Sequence, residues 1–173
     1  MMKELLPAMS TESSDTQRFL PIALNIYGAD CLVVGGGKIG TRKAVTLARA
    51  GAKVTVVSPS VTGELAGEVE AGRIRWMKEI FREEYLKDFF LVVAATDDGQ
   101  LNESICRTAG GRGALVCDAS SAEHSQIIFG ALLEHGQTTI AVFTGGRDPA
   151  LSRTTRDRIA RLLADENSQG IEP

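Results

Sequence analysis

Gly35, Gly37 and Gly40 fall at G-x-G-x-x-G spacing directly after the apolar run at 31–34. Those residue types in that order suit one chemistry. The first glycine permits a tight turn out of a strand. The second has no side chain to hold a diphosphate off the backbone, and the third lets the next helix pack close to the strand. Lys38 and Ile39 complete the turn, and the helix they open offers free N–H groups and a positive dipole to an anion. The spacing alone is weak, but here it follows one strand and leads to another within about thirty residues, the context that makes a dinucleotide site. After the second strand, where an acid would bind the ribose of NAD, the chain has Ser58, Pro59 and Ser60. Either serine can hydrogen-bond a ribose hydroxyl. Neither rejects a 2′-phosphate, and no arginine follows to welcome one, so these residues leave NAD and NADP open.

The elements that position these groups alternate. Strands are expected at 31–34, 53–57, around Ile74 and Trp76 and reaching towards Ile80, at 89–95 and at 115–118. Helices are expected at 38–50, 61–70 and 100–110, with a helical turn at 83–87. Ile39, Ala44, Leu47 and Ala48 supply one apolar stripe of the first helix, and Gly51 stands where a C-terminal glycine belongs. This alternation predicts right-handed crossovers and a parallel sheet covered on both faces, an α/β fold. Ligands then bind beyond the carboxyl ends of the strands, where Thr96, Asp97 and Asp118 lie. The segment 19–26, with Leu20 and Pro21, is expected to form an edge strand or a loop packed under the sheet. After Ala119 the pattern changes. A polar loop at 120–125 leads to apolar strands at 127–133 and 138–143, spaced as an antiparallel pair. A basic helix at 150–164 follows, with Arg153, Arg156, Arg158 and Arg161.

The 173 residues suffice for one domain and a small appendage, and the net charge of −3 argues against general nucleic-acid binding. No apolar run approaches a membrane span. The N-terminus lacks a signal-peptide apolar core, so a cytoplasmic location is expected. Residues 1–18 read as a flexible tail and the last nine as frayed. Cys31, Cys106 and Cys117 show no pairing or zinc spacing and read as reduced core residues. His124 and His135 are the only histidines; His124, in the polar loop, is open to a transient metal or proton contact or to a structural role, and no metal-ligand spacing is visible.

Several separated stretches together resemble the precorrin-2 dehydrogenase family, which includes the N-terminal domain of siroheme synthase. They are Leu20-Pro21, VVGGGKIGTRK, AGAKVTVVSP, GRIRW, LVVAATDD with Asn102 four residues after Asp98, and TGGRDPALSR. The resemblance runs over 19–163. It implies a Rossmann-type NAD-binding domain at 19–119, a small β dimerisation region at 120–146 and a C-terminal helical segment at 147–173. The activity implied is NAD-dependent oxidation of precorrin-2 to sirohydrochlorin; some relatives also insert ferrous iron. A homodimer is implied too. No chain is expected to remain for the methyltransferase domain of the larger siroheme synthases.

Carried over by position, cofactor contacts fall at Gly35, Gly37, Lys38, Ile39 and Gly40, at Ser58, Pro59 and Ser60, and at Thr96 and Asp97. The family's catalytic aspartate is expected just after the fifth strand, where this chain has Ser120 and Ser121. Asp118 lies two residues earlier and would share a face with Ser120 if the strand continued. Asp118 and Ser120 are therefore the catalytic candidates, with a loop-capping role the alternative for Asp118. The family's proline after Phe129 is Gly130 here. A polycarboxylate tetrapyrrole calls for cations, and Arg147, Arg153 and Arg156 around the TGG turn, with Lys38, are the candidates. The serines at the aspartate positions keep a second function open, a non-catalytic dinucleotide sensor.

Overall fold

The computed structural model describes residues 19–168; the expectations for 1–18 and 169–173 lie outside them. Strands β1 (Asp30–Val34), β2 (Lys53–Val57), β3 (Ile74–Met77), β4 (Leu91–Ala94) and β5 (Leu115–Asp118) form one sheet. Its order is β3-β2-β1-β4-β5, and every pair is parallel. The connecting helices are α1 (Lys38–Arg49), α2 (Gly63–Glu70) and α3 (Gly99–Gly111). Alternate residues of each strand face opposite layers. Cys31 and Val33 join Val54, Val56 and Val93 beneath α1 and α2, with Ala44, Leu47 and Leu65. Leu32 and Val34 join Val92, Ala94 and Val116 beneath α3, with Ile105 and Ala109. Burial on both faces is why these strands read as unbroken apolar runs. The chain leaves β1 on one side towards β2 and returns on the other to β4. The ends of β1 and β4 therefore flank the crevice where such sheets bind ligands.

The second unit is an antiparallel hairpin, β6 (Ala131–His135) and β7 (Thr138–Val142), with α4 (Pro149–Ser168) packed on it. The first expected strand began too early and its turn was drawn too wide. Residues 127–130 do not pair; Gln126 and Ile127 both donate to the Val116 carbonyl, and Ile127 and Phe129 pack onto the α1 side of the sheet. The turn is only Gly136 and Gln137, with Gly136 at φ +58°.

Three further expectations fail. Ile39 is exposed, because its place in the first turn of α1 points it away from the sheet. Leu20 is exposed as well; the segment at 19–26 forms neither a strand nor a packed loop, and it buries only Ile26. Ile80 lies beyond β3, which ends at Met77, and is also exposed. The cysteines are reduced and buried as expected. Burial pushes the Cys31 thiol up to about 11 and the Cys106 thiol up to about 12, so neither is a ready nucleophile. Among the described residues no helix is long and apolar enough to cross a membrane.

Candidate functional site

The glycine turn separates packing from binding. Gly35 has φ +112°, and a Cβ there would lie 2.3 Å from the Ala95 carbonyl oxygen. A Cβ on Gly40 would lie 2.0 Å from the Gly35 oxygen. These two glycines let the β1 turn seat against the end of β4 and the start of α1. Gly36, not singled out in the sequence, is equally constrained; its Cβ would meet the Ser60 oxygen at 2.2 Å. The run of three consecutive glycines was the available signal. Gly37 differs. It is the N-cap of α1, carries no capping side chain, and a Cβ there would meet nothing within 4 Å. The first turn of α1 holds no acid, so its N–H groups and dipole face open space.

That space is a cleft of about 460 Å³. It is lined by Gly35–Gly37, Ser58–Ser60, Thr96 and Asp97, with Ile80, Phe81 and Leu101 as apolar walls. Lys38 and Ile39 supply the helix's first N–H groups rather than the lining, and Gly40 sits behind the turn. An uncapped helix end, an open glycine and a serine-bearing loop on one cleft fit a dinucleotide. When bound, that group supplies a hydride acceptor. Its diphosphate would lie over Gly37 and its adenosine end near Ser58 and Ser60, which leaves the nicotinamide end for the β4–β5 side. Thr41 Oγ1 and Thr62 Oγ1, 2.8 Å apart, join α1 to the N-cap of α2 behind the cleft.

The β4 side is fixed by Asn102, whose side chain is fully buried. Its Oδ1 accepts from the Thr96 N–H at 3.1 Å and from Thr96 Oγ1 at 2.7 Å. Its Nδ2 donates to the Thr96 carbonyl at 3.1 Å and to Ser120 Oγ at 3.3 Å. One amide thus joins the wall of the glycine cleft to the loop after β5. Asp98 caps α3, accepting from the N–H groups of Gln100 and Leu101.

In the β5 loop the carboxylate of Asp118 has no exposed surface. Its Oδ1 accepts from the Ser120 N–H at 2.8 Å and from Ser120 Oγ at 2.5 Å. His124 Nδ1 lies 3.1 Å from Oδ2. Asp118 and Ser120 are thus brought together, and Asp118 does cap its loop. Sequence reading placed His124 in the loop beside the site, as either a transient metal or proton contact or a structural residue, and did not pair it with Asp118. Its link to Asp118 depends on a loop closure that no local pattern announces.

Of the three arginines named from sequence, Arg153 and Arg156 line a second cleft of about 630 Å³, while Arg147 lies exposed in the turn before α4. The TGG-x-x-P stretch is a helix-start device. Gly145 and Gly146 take φ of +63° and +78°. Asp148 Oδ1 accepts from the Leu151 N–H at 2.8 Å, and Pro149 occupies the first helical position. The opposite wall is α1, through Arg42, Lys43 and Arg49, none of which the sequence singled out. Ile128, Phe129 and Phe143 add an apolar lining. No lining residue is shared with the glycine cleft.

Lys43 is buried, its ammonium 3.8 Å from the centre of the Phe129 ring. No carboxylate among the described residues pairs with it, and burial holds its pKa below the ordinary lysine value. Between the folded and unfolded pKa the unfolded chain holds the extra proton, so stability rises with pH through that window. Below that window the full penalty of the buried charge is present. Lys43→Met is therefore expected to raise the unfolding free energy there by about 1 kcal/mol, net of the lost ring contact. Urea unfolding should show the parent gaining on the variant as pH rises.

Residues 22–131 match the family model described as "Putative NAD(P)-binding", and the chain belongs to that family. It is also similar to siroheme synthases, as its sequence suggested. The protein of Photorhabdus laumondii is 37% identical over 145 residues, covering 84% of this chain and 31% of that protein. That of Nitrosococcus oceani is 38% identical over 146 residues, with the same two shares. The chain thus spans about a third of the length of these relatives. Among solved structures, "SirC, precorrin-2 dehydrogenase" superposes with a TM-score of 0.70 at 29% identity, covering 83% of this chain and 70% of that one.

Proposed function

We propose that this chain oxidises precorrin-2 to sirohydrochlorin with a nicotinamide dinucleotide, NAD in the first instance, as a step of siroheme biosynthesis in the cytoplasm. The observation that carries this reading is the extent of the likeness to the precorrin-2 dehydrogenase. It covers 83% of the chain. The five-stranded domain alone, residues 30–118, would account for about half. A generic dinucleotide-binding domain would match only the sheet.

The chain's own residues have defined tasks under this reading. The α1 N-terminus holds the diphosphate, Ser58 and Ser60 the ribose, and Thr96 and Asp97 border the nicotinamide end. Arg153 and Arg156 take substrate carboxylates through charge-assisted hydrogen bonds, with Arg42 and Arg49 opposite. The two clefts meet in function only if the tetrapyrrole spans from the arginine wall to the β5 loop. A second copy is the expected companion, since Leu132 of β6 and Leu151 and Leu162 of α4 are exposed apolar side chains. Ferrous iron would be a further substrate. Among the described residues no group of three His, Cys, Asp or Glu side chains stands ready to hold it.

The test is anaerobic turnover of precorrin-2 with NAD or NADP, following reduced cofactor and the sirohydrochlorin spectrum together. Saturable formation of both products is expected. The Arg153→Ala/Arg156→Ala double variant should raise KM roughly tenfold or more, with cofactor affinity unchanged. A chain that binds dinucleotide but forms neither product would be a sensor instead.

A further inference from the structure

We infer that His124, held by the buried carboxylate of Asp118, is the group that accepts the proton in this oxidation; the inference rests on the activity proposed above. Oxidising the tetrapyrrole removes two hydrogens. One leaves as a hydride, which reduces the nicotinamide ring. The other leaves as a proton and needs a base. The macrocycle gains one double bond, the oxidised dinucleotide is the electron acceptor, and the proton ends on nitrogen.

Asp118 is badly placed to be that base. Its carboxylate is shut off from solvent, and it already faces three donors: the Ser120 N–H, the Ser120 hydroxyl and His124. Ser120 is no nucleophile either, since its hydroxyl donates to Asp118 rather than to the imidazole. His124 is the reachable member. Its side chain is 35% exposed. An ionised carboxylate only accepts, so the contact at 3.1 Å places the proton on Nδ1 and leaves the lone pair on Nε2. A buried carboxylate behind an imidazole fixes its orientation and tautomer and stabilises the imidazolium that forms.

The surroundings fit the same task. Glu103 Oε2 of α3 lies 4.0 Å from Nε2. It would steady the imidazolium and pass its proton to solvent. Asp118 and Glu103 are the carboxylates within 4.0 Å of the ring among the described residues. Asn102 ties this loop to Thr96 through Ser120, so the histidine is referenced to the wall that borders the nicotinamide end. Asp118, Ser120 and Asn102 are thus positioning residues.

Two measurements test this. In the apo chain, long-range ¹H–¹⁵N NMR should find His124 as the Nδ1–H tautomer. Asp118→Asn should turn it to Nε2–H, because the amide can donate to Nδ1. In turnover, His124→Ala should lower kcat on the order of 10²-fold, leave the dinucleotide Kd unchanged and remove the parent's fall in rate on acidification. Added imidazole should restore part of the rate, which a structural role would not allow. A His124→Ala variant with parental kcat and pH profile overturns the inference and leaves the proposed activity standing. A parent that oxidises no precorrin-2 overturns both.

Discussion

Gly37→Asp is expected to fold as well as the parent or slightly better, and to lose dinucleotide binding by more than a hundredfold. The two halves have separate causes. Gly37 has φ −72° and ψ −175°, extended backbone open to any residue. Its Cβ would meet no neighbour, and α1 has neither an N-cap side chain nor an acid in its first turn. Aspartate there would cap the helix and complement its dipole, worth about 1 kcal/mol. That same carboxylate would occupy the N–H groups a diphosphate needs and repel its charge. A hundredfold weaker binding corresponds to about 2.7 kcal/mol, a modest demand for one like charge at an anion site. Thermal unfolding and titration calorimetry with NAD and NADP check the two halves separately. Gly40→Ala is the opposite control. Its Cβ would sit 2.0 Å from the Gly35 oxygen, so it should fail in folding before binding is in question. Parental affinity in Gly37→Asp would move the diphosphate away from α1.

This contrast marks what the sequence could disclose. Glycine spacing, apolar runs and the end of a strand are local, and they placed five strands, three helices and the loops that line the glycine cleft within a few residues. The misses depend on contacts distant in sequence. The apolar run at 127–133 looks uniformly strand-like. Its first half is spent on packing Phe129 against Lys43 and Ile127 against the sheet, and only its second half pairs. Nothing local marks Arg42, Lys43 and Arg49, which α4 and residues 128–134 face across the second cleft. His124 gains meaning only when the loop after β5 returns it to Asp118. Asn102 was visible as one member of a motif, without a reason for its presence.

The structure supplies that reason and a second large effect. Asn102→Leu is expected to lower the unfolding free energy by about 3 kcal/mol, since orphaned buried polar groups cost roughly 1–3 kcal/mol each. Leucine has the same branched skeleton and is bulkier, so no void is left behind. The loss falls on Thr96, whose N–H, hydroxyl and carbonyl all use this one amide. Asn102→Asp would keep the acceptor but remove both donations and set a carboxylate against the Thr96 carbonyl, so it should destabilise as well. Thr96→Val removes the hydroxyl, which also bonds the Asp98 backbone, so only the double variant isolates its bond to Asn102. Its effect and that of Asn102→Leu should fall short of additive in the double variant, by about 0.5–1 kcal/mol, because they share a hydrogen bond. Urea unfolding measures all four corners. Additive losses would mean that Asn102 fills space rather than closing the loop. The same variant should weaken dinucleotide binding even where the chain remains folded, because Thr96 lines the cleft. It should also loosen Ser120 and with it the Asp118–His124 pair. Loss of affinity together with a changed pH profile from one buried amide would show that the cofactor wall and the β5 loop are held as a unit.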